Sequence, residues 1–321
     1  MPHRGTAVDT VREFTAQNAI CSQQAIRHEE PGGIPVNLCA GGPWIATVAG
    51  VPLAQYYNDY STMYEAQASV RDRFHGLIPF RPDRGLVNEP AALGAKVVLG
   101  DDGPPWVEPF VRDMDDVRRL KVPDPASAPY MSGTLEAYYY LKSRVAQGTP
   151  VAAGSAHSPI GVTALCRGVT QFCIDSVENT DLVRALLDVC TEVVISWLKA
   201  QEKAAGALRR ITLSDDIASF VSPRTFRRFI LALYLRIYGE FPSAERWYHN
   251  DANATHLLEG LAETGVQVVH MDYVVDIANA MKRIGDRVCI MGNIPPIEVL
   301  RNGAPGDVRA CALSVMKAAS S

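Results

Sequence analysis

From about residue 145 onward, short apolar runs rich in β-branched residues alternate with longer stretches in which apolar positions recur every three to four residues. The first pattern predicts buried strands and the second amphipathic helices. "TPVAAGSAH" (149–157) is followed by helical sequence reaching "GVTQFCIDS" and then by the long helix "DLVRALLDVCTEVVISWLKAQEKAAG", which Gly206 closes as a C-cap. "RRITLSDD" leads through Ser222-Pro223 into the helix "RTFRRFILALYLRIYGEF". "RWYHND" precedes "ATHLLEGLAETG", "VQVVHMD" precedes "VVDIANAMKRIG", and "RVCIMGN" leads through "IPPIEVLRNG" into "GDVRACALSVMKA". Each strand–helix unit takes roughly 25 to 50 residues, which predicts βα units around parallel strands.

The N-terminal half is less regular. It predicts a helix over "DTVREFTAQNAICSQQAIRHEE", a first strand in "GIPVNLCAG" (33–41) and one helix over "AQYYNDYSTMYEAQASVRDRF". A second strand, "GLIPFRPD", ends at Asp83, and "AKVVLGDDGPPWVEPFV" reads as a hairpin turning at Asp102-Gly103-Pro104-Pro105. "PDPASAP" is a linker. The expected organisation is a single domain over 1–321, with residues 1–30 as a helical extension.

Five of these strands end on polar residues: Asp83, His157, Asp215-Asp216, His249-Asn250-Asp251 and Asp272. In a (β/α)8 TIM barrel the C-terminal strand ends converge on one mouth, where the chemistry sits. That α/β architecture is the expectation here, with the last strand not accounted for before Ser321. A doubly wound sheet would also place ligands at strand ends, but "CAGGPW" (39–44) lacks the G-x-G-x-x-G spacing of a nucleotide loop.

Composition removes several alternatives. With 31 basic against 35 acidic side chains, a net charge of -4, bulk electrostatics recruit neither nucleic acid nor an acidic membrane. No apolar run approaches the ~20 residues of a membrane span, and the N-terminus lacks a signal-peptide apolar region, so a cytoplasmic location is expected. Seven cysteines without a C-x-x-C pair argue against a disulfide scaffold or a zinc ribbon.

"GSAHSPIGVTALCRGVTQF", "ITLSDDIASFVSPRTFRRFILALYLRIY", "WYHNDANATHLLEGLAETGVQVVHMD" and "CIMGNIPPIEVLRNGAPGDV" resemble, in order and spacing, the uroporphyrinogen decarboxylase superfamily. That superfamily contains the decarboxylase itself and zinc-dependent, corrinoid-linked methyltransferases. The resemblance implies a (β/α)8 barrel. It also separates two branches. Decarboxylases grip a polyanionic porphyrinogen with arginines early in the barrel, whereas "VNLCAGGPWIATVAGVP" (36–52) carries neither arginine nor lysine. The decarboxylase's essential Asp has its nearest match in Asp83.

Methyltransferases of the family hold zinc through His-x-Cys after the fifth strand and a further Cys near the C-terminus. Here His249 matches and Asp251 replaces Cys, which moves the site away from a soft thiolate set. The family's last strand and last ligand loop have no counterpart before Ser321. The resemblance thus implies an enzyme moving a methyl group between a small methylated substrate and a corrinoid protein, with a zinc ion held by His249 and Asp251. A homodimer is left open.

Asp215, Asp216 and His157 are the candidates for proton and orientation chemistry, and Asp83 for the decarboxylase alternative. Tyr57, Asp272 and Asn293 are candidate substrate contacts. Each has a structural alternative: Asp251 or Asn253 as a helix cap, Asp215 and Asp216 as partners of a helix dipole, and Tyr56, Tyr57 and Tyr60 as amphipathic packing. Cys289 and Cys311 read as structural, and His256 and His270 are assigned no chemistry. A non-catalytic binding barrel is the remaining alternative.

Overall fold

A computed structural model of the chain describes residues 7–100 and 103–320. Residues 1–6 of the N-terminal extension, Asp101, Asp102 of the expected turn, and Ser321 lie outside the described residues. The chain gathers into two compact units: one takes the residues up to Phe110 with Pro123–Ala153 and Lys199–Ala207, the other Val111–Val122, Gly154–Leu198 and the chain from Leu208 onward.

In the first unit, Ala7–Ile26 is a helix, and β1 (Lys96–Val98) pairs antiparallel with β2 (Trp106–Glu108), the expected hairpin. The core is built from Ile45, Tyr56, Met63 and Leu141, all fully buried, with Phe80 and Val151. Three expectations change here. Residues 33–41 form no ladder: Pro35 has no N–H to donate, and most of the stretch is exposed or half-exposed. "GLIPFRPD" makes only a single parallel bridge, Phe80 to Val151, because Pro79 and Pro82 flank that residue. The helix expected over 54–74 is two, Leu53–Asn58 and Tyr60–Arg73. Asp59 separates them: its carboxylate accepts the Thr62 N–H at 2.8 Å and the Thr62 hydroxyl at 2.6 Å, which starts a new helix.

The second unit holds a five-stranded parallel sheet in sequence order: β3 (Ser155–His157), β4 (Arg210–Ser214), β5 (Glu245–His249), β6 (Val268–His270) and β7 (Cys289–Met291). A helical segment follows every strand, the βα alternation of the TIM-barrel class. The ladder does not draw a closed eight-stranded ring; among the described residues β7 pairs only with β6. Gly154 brings the chain into this sheet. It has φ +86°, and a Cβ there would lie 2.2 Å from the Arg210 carbonyl oxygen, while its own carbonyl accepts the Thr212 N–H at 2.8 Å.

Leu186, Cys190, Val193, Val194 and Trp197 bury the long helix Thr180–Ala205, and Gly206 ends it at φ +85°, as expected. The helical run from Pro223 starts on the Ser222 hydroxyl, which accepts the Thr225 N–H at 3.1 Å, and widens into a π turn over Phe226–Ile230 before continuing to Glu240. No helix among the described residues is long and apolar enough to cross a membrane.

Candidate metal centre at the strand ends

Register places one residue from each strand of the second unit in a single row: His157, Ser214, His249, His270 and Met291 are paired across β3 to β7. Paired residues of parallel strands point to the same face. The opposite face, Ala156, Leu213, Tyr248 and Val269, is buried. The row of five is therefore the open face at the C-terminal strand ends, and all five are partly exposed.

Within that row the imidazoles of His249 and His270 stack with centroids 4.6 Å apart and planes 9° from parallel. Asp251, two residues beyond β5, reaches both. His249 Nε2 lies 3.2 Å from Asp251 Oδ2, and His270 Nδ1 lies 3.6 Å from Asp251 Oδ1. His270 Nδ1 is buried and has no hydrogen-bond partner. Burial, with the neighbouring His249, lowers the His270 pKa to about 4, so the ring is a neutral nitrogen donor at neutral pH. The contact with His249 holds the Asp251 carboxyl below its usual range, against the opposing effect of burial.

The intervening residue explains why a strand ends on His-Asn-Asp. Asn250 turns inward: its carboxamide donates to the Asp215 carbonyl and, at 3.1 Å, to the Tyr248 hydroxyl, and accepts the Ala252 N–H at 2.8 Å. His249 and Asp251 are thereby left facing outward together. Asp216 completes the support, because its carboxylate accepts the Asp251 N–H at 2.7 Å. Asp251 does not cap the following helix; Asn253 meets the Thr255 N–H at 3.2 Å instead.

Asp215 sits on the buried side, 1% exposed. Its carboxylate accepts from the Tyr234 hydroxyl, from the Ala218 N–H at 3.0 Å and from the Ser158 side chain, yet burial outweighs these donors and pushes its pKa up to about 6. Burial and the Asp215 charge push the Tyr234 phenol well up in turn. Asp272 accepts the Val274 N–H at 2.9 Å, and Asn293 donates to the Asp272 and Val275 carbonyls at 2.9 and 2.8 Å, so these two brace the ends of β6 and β7. His157 stands in the row, beside Ser158, whose hydroxyl accepts the Gly161 N–H at 3.0 Å to start the next helix.

Asp83 and Tyr57 meet in the first unit. The Tyr56 hydroxyl donates to Asp83 Oδ2 at 3.4 Å, Arg81 Nη2 is 3.9 Å from the same oxygen, and a Cβ on Gly42 would come within 2.7 Å of both Asp83 Oδ2 and the Tyr57 hydroxyl. Burial, then the Asp83 charge, raises both phenol pKa values.

Sequence reasoning passed over His270. A signal was present: β5 and β6 both end on His-x-Asp, His249-Asn250-Asp251 and His270-Met271-Asp272, and register makes the two histidines neighbours. Cys289 pairs with Val268, one layer deeper than this row, and burial raises its thiol pKa.

The family described as Uroporphyrinogen decarboxylase (URO-D) matches residues 22–321. The chain belongs to that family. It is similar to the uroporphyrinogen decarboxylase of Coxiella burnetii, 25% identical over 243 residues, 72% of this chain and 65% of that one. The methylcobamide:CoM methyltransferase of Methanosarcina mazei is 26% identical over 264 residues, 79% of this chain and 76% of the relative. The matched stretch spans just under two thirds of the decarboxylase. A solved methyltransferase from Methanosarcina mazei superposes with a TM-score of 0.80 over 94% of this chain and 89% of its own, at 22% identity, which fixes the fold as that of this barrel family. Both of these relatives are named for a catalysed reaction.

The side chains gathered at these strand ends fit a metal ion. The ligand atoms of His249, Asp251 and His270 all lie within 4.8 Å of one another, and the partnerless His270 nitrogen is a donor that an ion would satisfy.

Proposed function

We propose that this chain is a cytoplasmic, metal-assisted methyltransferase that demethylates a small methylated substrate, with a corrinoid protein as the methyl carrier. The observation that carries the reading is the His249–Asp251 pair at the open row, in a chain similar to a methylcobamide:CoM methyltransferase. A zinc ion held there would supply Lewis acidity toward the heteroatom that bears the methyl group.

The chain's own residues do the rest. Asp216 fixes the Asp251 backbone, and Asn250 locks the turn so that His249 and Asp251 face the substrate side by side. His157, in the same row, is placed to exchange a proton with the demethylated heteroatom. Asp215, on the buried face, acts as a positioning residue for the end of β4. Asp272 and Asn293 brace the rim at the ends of β6 and β7.

A second reading is cofactor-free decarboxylation at Asp83. It is favoured by the two phenols and Arg81 gathered about that carboxylate. The stretch 36–52 without a basic residue weighs against a polyanionic substrate.

The deciding experiment pairs elemental analysis of the wild type and His249→Ala with turnover of O-, N- and S-methyl donors in the presence of a corrinoid acceptor. Stoichiometric zinc lost in the variant, together with methyl transfer, is the expected result. A metal-free wild type that decarboxylates a porphyrinogen would replace the first reading with the second.

A further inference from the structure

The donor set at the strand ends differs from a thiolate site in a way that constrains the substrate. Among the described residues, the cluster of ligand atoms within 4.8 Å contains two imidazoles and one carboxylate and no cysteine sulfur. With bonds of about 2.0 to 2.2 Å, neighbouring ligand atoms around one ion lie about 3 to 3.5 Å apart. The two Asp251 oxygens stand 3.2 Å from His249 Nε2 and 3.6 Å from His270 Nδ1. The first distance also suits a direct hydrogen bond; the second does not, and His270 Nδ1 is left without a partner in a buried position. An ion between the three groups accounts for both.

We infer that His270 is the third ligand of a thiolate-free site with His249 and Asp251, and that the substrate group entering its open position is an oxygen donor, an ether, alcohol or carboxylate oxygen. This rests on the metal-assisted reading above and deepens it. Two neutral imidazoles and one carboxylate leave a divalent ion with net charge +1, whereas a thiolate in place of either imidazole would cancel that remaining charge. The ion is then a harder, stronger Lewis acid, which prefers and polarises oxygen over sulfur. The open row beside it offers Ser214 and His157, polar side chains suited to an oxygen-bearing substrate.

The test is a Co(II) titration of the metal-free full-length chain, read by its visible spectrum, for the wild type, His249→Ala, His270→Ala and Cys289→Ser. The expected result is one equivalent bound by the wild type and by Cys289→Ser, with no sulfur-to-cobalt charge-transfer band. His270→Ala should lose more than the roughly 100-fold in affinity that follows when a residue merely orienting a ligand is changed. Adding methanol or acetate should shift the cobalt bands of the wild type.

His270→Ala binding as tightly as the wild type while His249→Ala does not bind would overturn the inference and leave the metal-assisted reading standing. No binding by the wild type would overturn both. A charge-transfer band on adding a thiol, with no response to oxygen donors, would overturn the substrate class. Should His270→Ala fail to fold, nitrogen NMR of the wild type decides: the His270 Nδ1 resonance moves on Zn(II) addition if it is a ligand and stays if it is not.

Discussion

The Asp216 carboxylate accepts the backbone N–H of Asp251 at 2.7 Å, so one acidic residue at the end of β4 sets the position of another at the end of β5. Asp216 itself lies outside the cluster of ligand atoms. Asp216→Ala is therefore expected to lower metal affinity by roughly 10- to 100-fold, the range for residues that orient a ligand, while leaving the melting temperature nearly unchanged. A zinc competition titration beside a thermal melt checks both halves. Unchanged affinity would show that the Asp251 loop holds its place without this bond.

Asp215 gives the protein a pH signature on the neutral side of acid. Its carboxyl titrates near 6 in the fold, against an ordinary value of 3.8. Between those values the folded chain keeps a proton that the unfolded chain has released, so this group's contribution to stability falls as pH rises through the window and is level outside it. The drop is at most roughly 3 kcal/mol. Asp215→Asn should flatten it, measured by urea unfolding at several pH values from 4 to 7. An equal slope in both proteins would assign the pH dependence elsewhere.

Gly154 is expected to tolerate no side chain. At φ +86° with the Arg210 carbonyl oxygen 2.2 Å from the site of a Cβ, Gly154→Ala must both strain the backbone and push β3 away from β4. Backbone strain alone costs roughly 1 to 3 kcal/mol. The urea midpoint should fall with the slope unchanged. Gly206, also at positive φ but with open space around it, should cost less on the same substitution.

Arg283 makes a paired hydrogen bond to Glu259, 2.6 Å to each carboxylate oxygen, and holds the Glu259 pKa down to about 2. Arg283→Lys cannot keep both bonds. NMR titration should show the Glu259 pKa rising toward its ordinary 4.5, while stability changes by less than about 1 kcal/mol because the pair is partly exposed.

Much of the second unit was legible in the sequence, because its strands are short apolar runs between strongly periodic helices, and hydrophobic burial alone sets that pattern. The first unit was less so. Pro35, Pro79 and Pro82 sit in runs apolar enough to suggest strands, and the missing N–H groups outweigh that suggestion. Asp59 splits a helix that apolar periodicity alone draws as continuous. At the site, His249 and Asp251 were visible as a polar break after a strand. His270 was not, since a histidine among valines reads as strand interior until register shows that the ladder ends on it and sets it against His249. Asp215 and Asp216 looked equivalent as neighbours, and only the structure just past β4 separates them into a buried brace and a partner of the Asp251 backbone.

The alternation that divides β3 to β7 into a buried face and an open row also divides the consequences of mutation. Changes at His157, Ser214, His249, His270 or Met291 alter the side chains that the strand ends present while Ala156, Leu213, Tyr248 and Val269 go on holding the sheet to its surroundings. Selection can rewrite such a row one position at a time without first securing a more robust scaffold. A lineage carrying this sheet can therefore vary the side chains at these strand ends while the buried face keeps its packing.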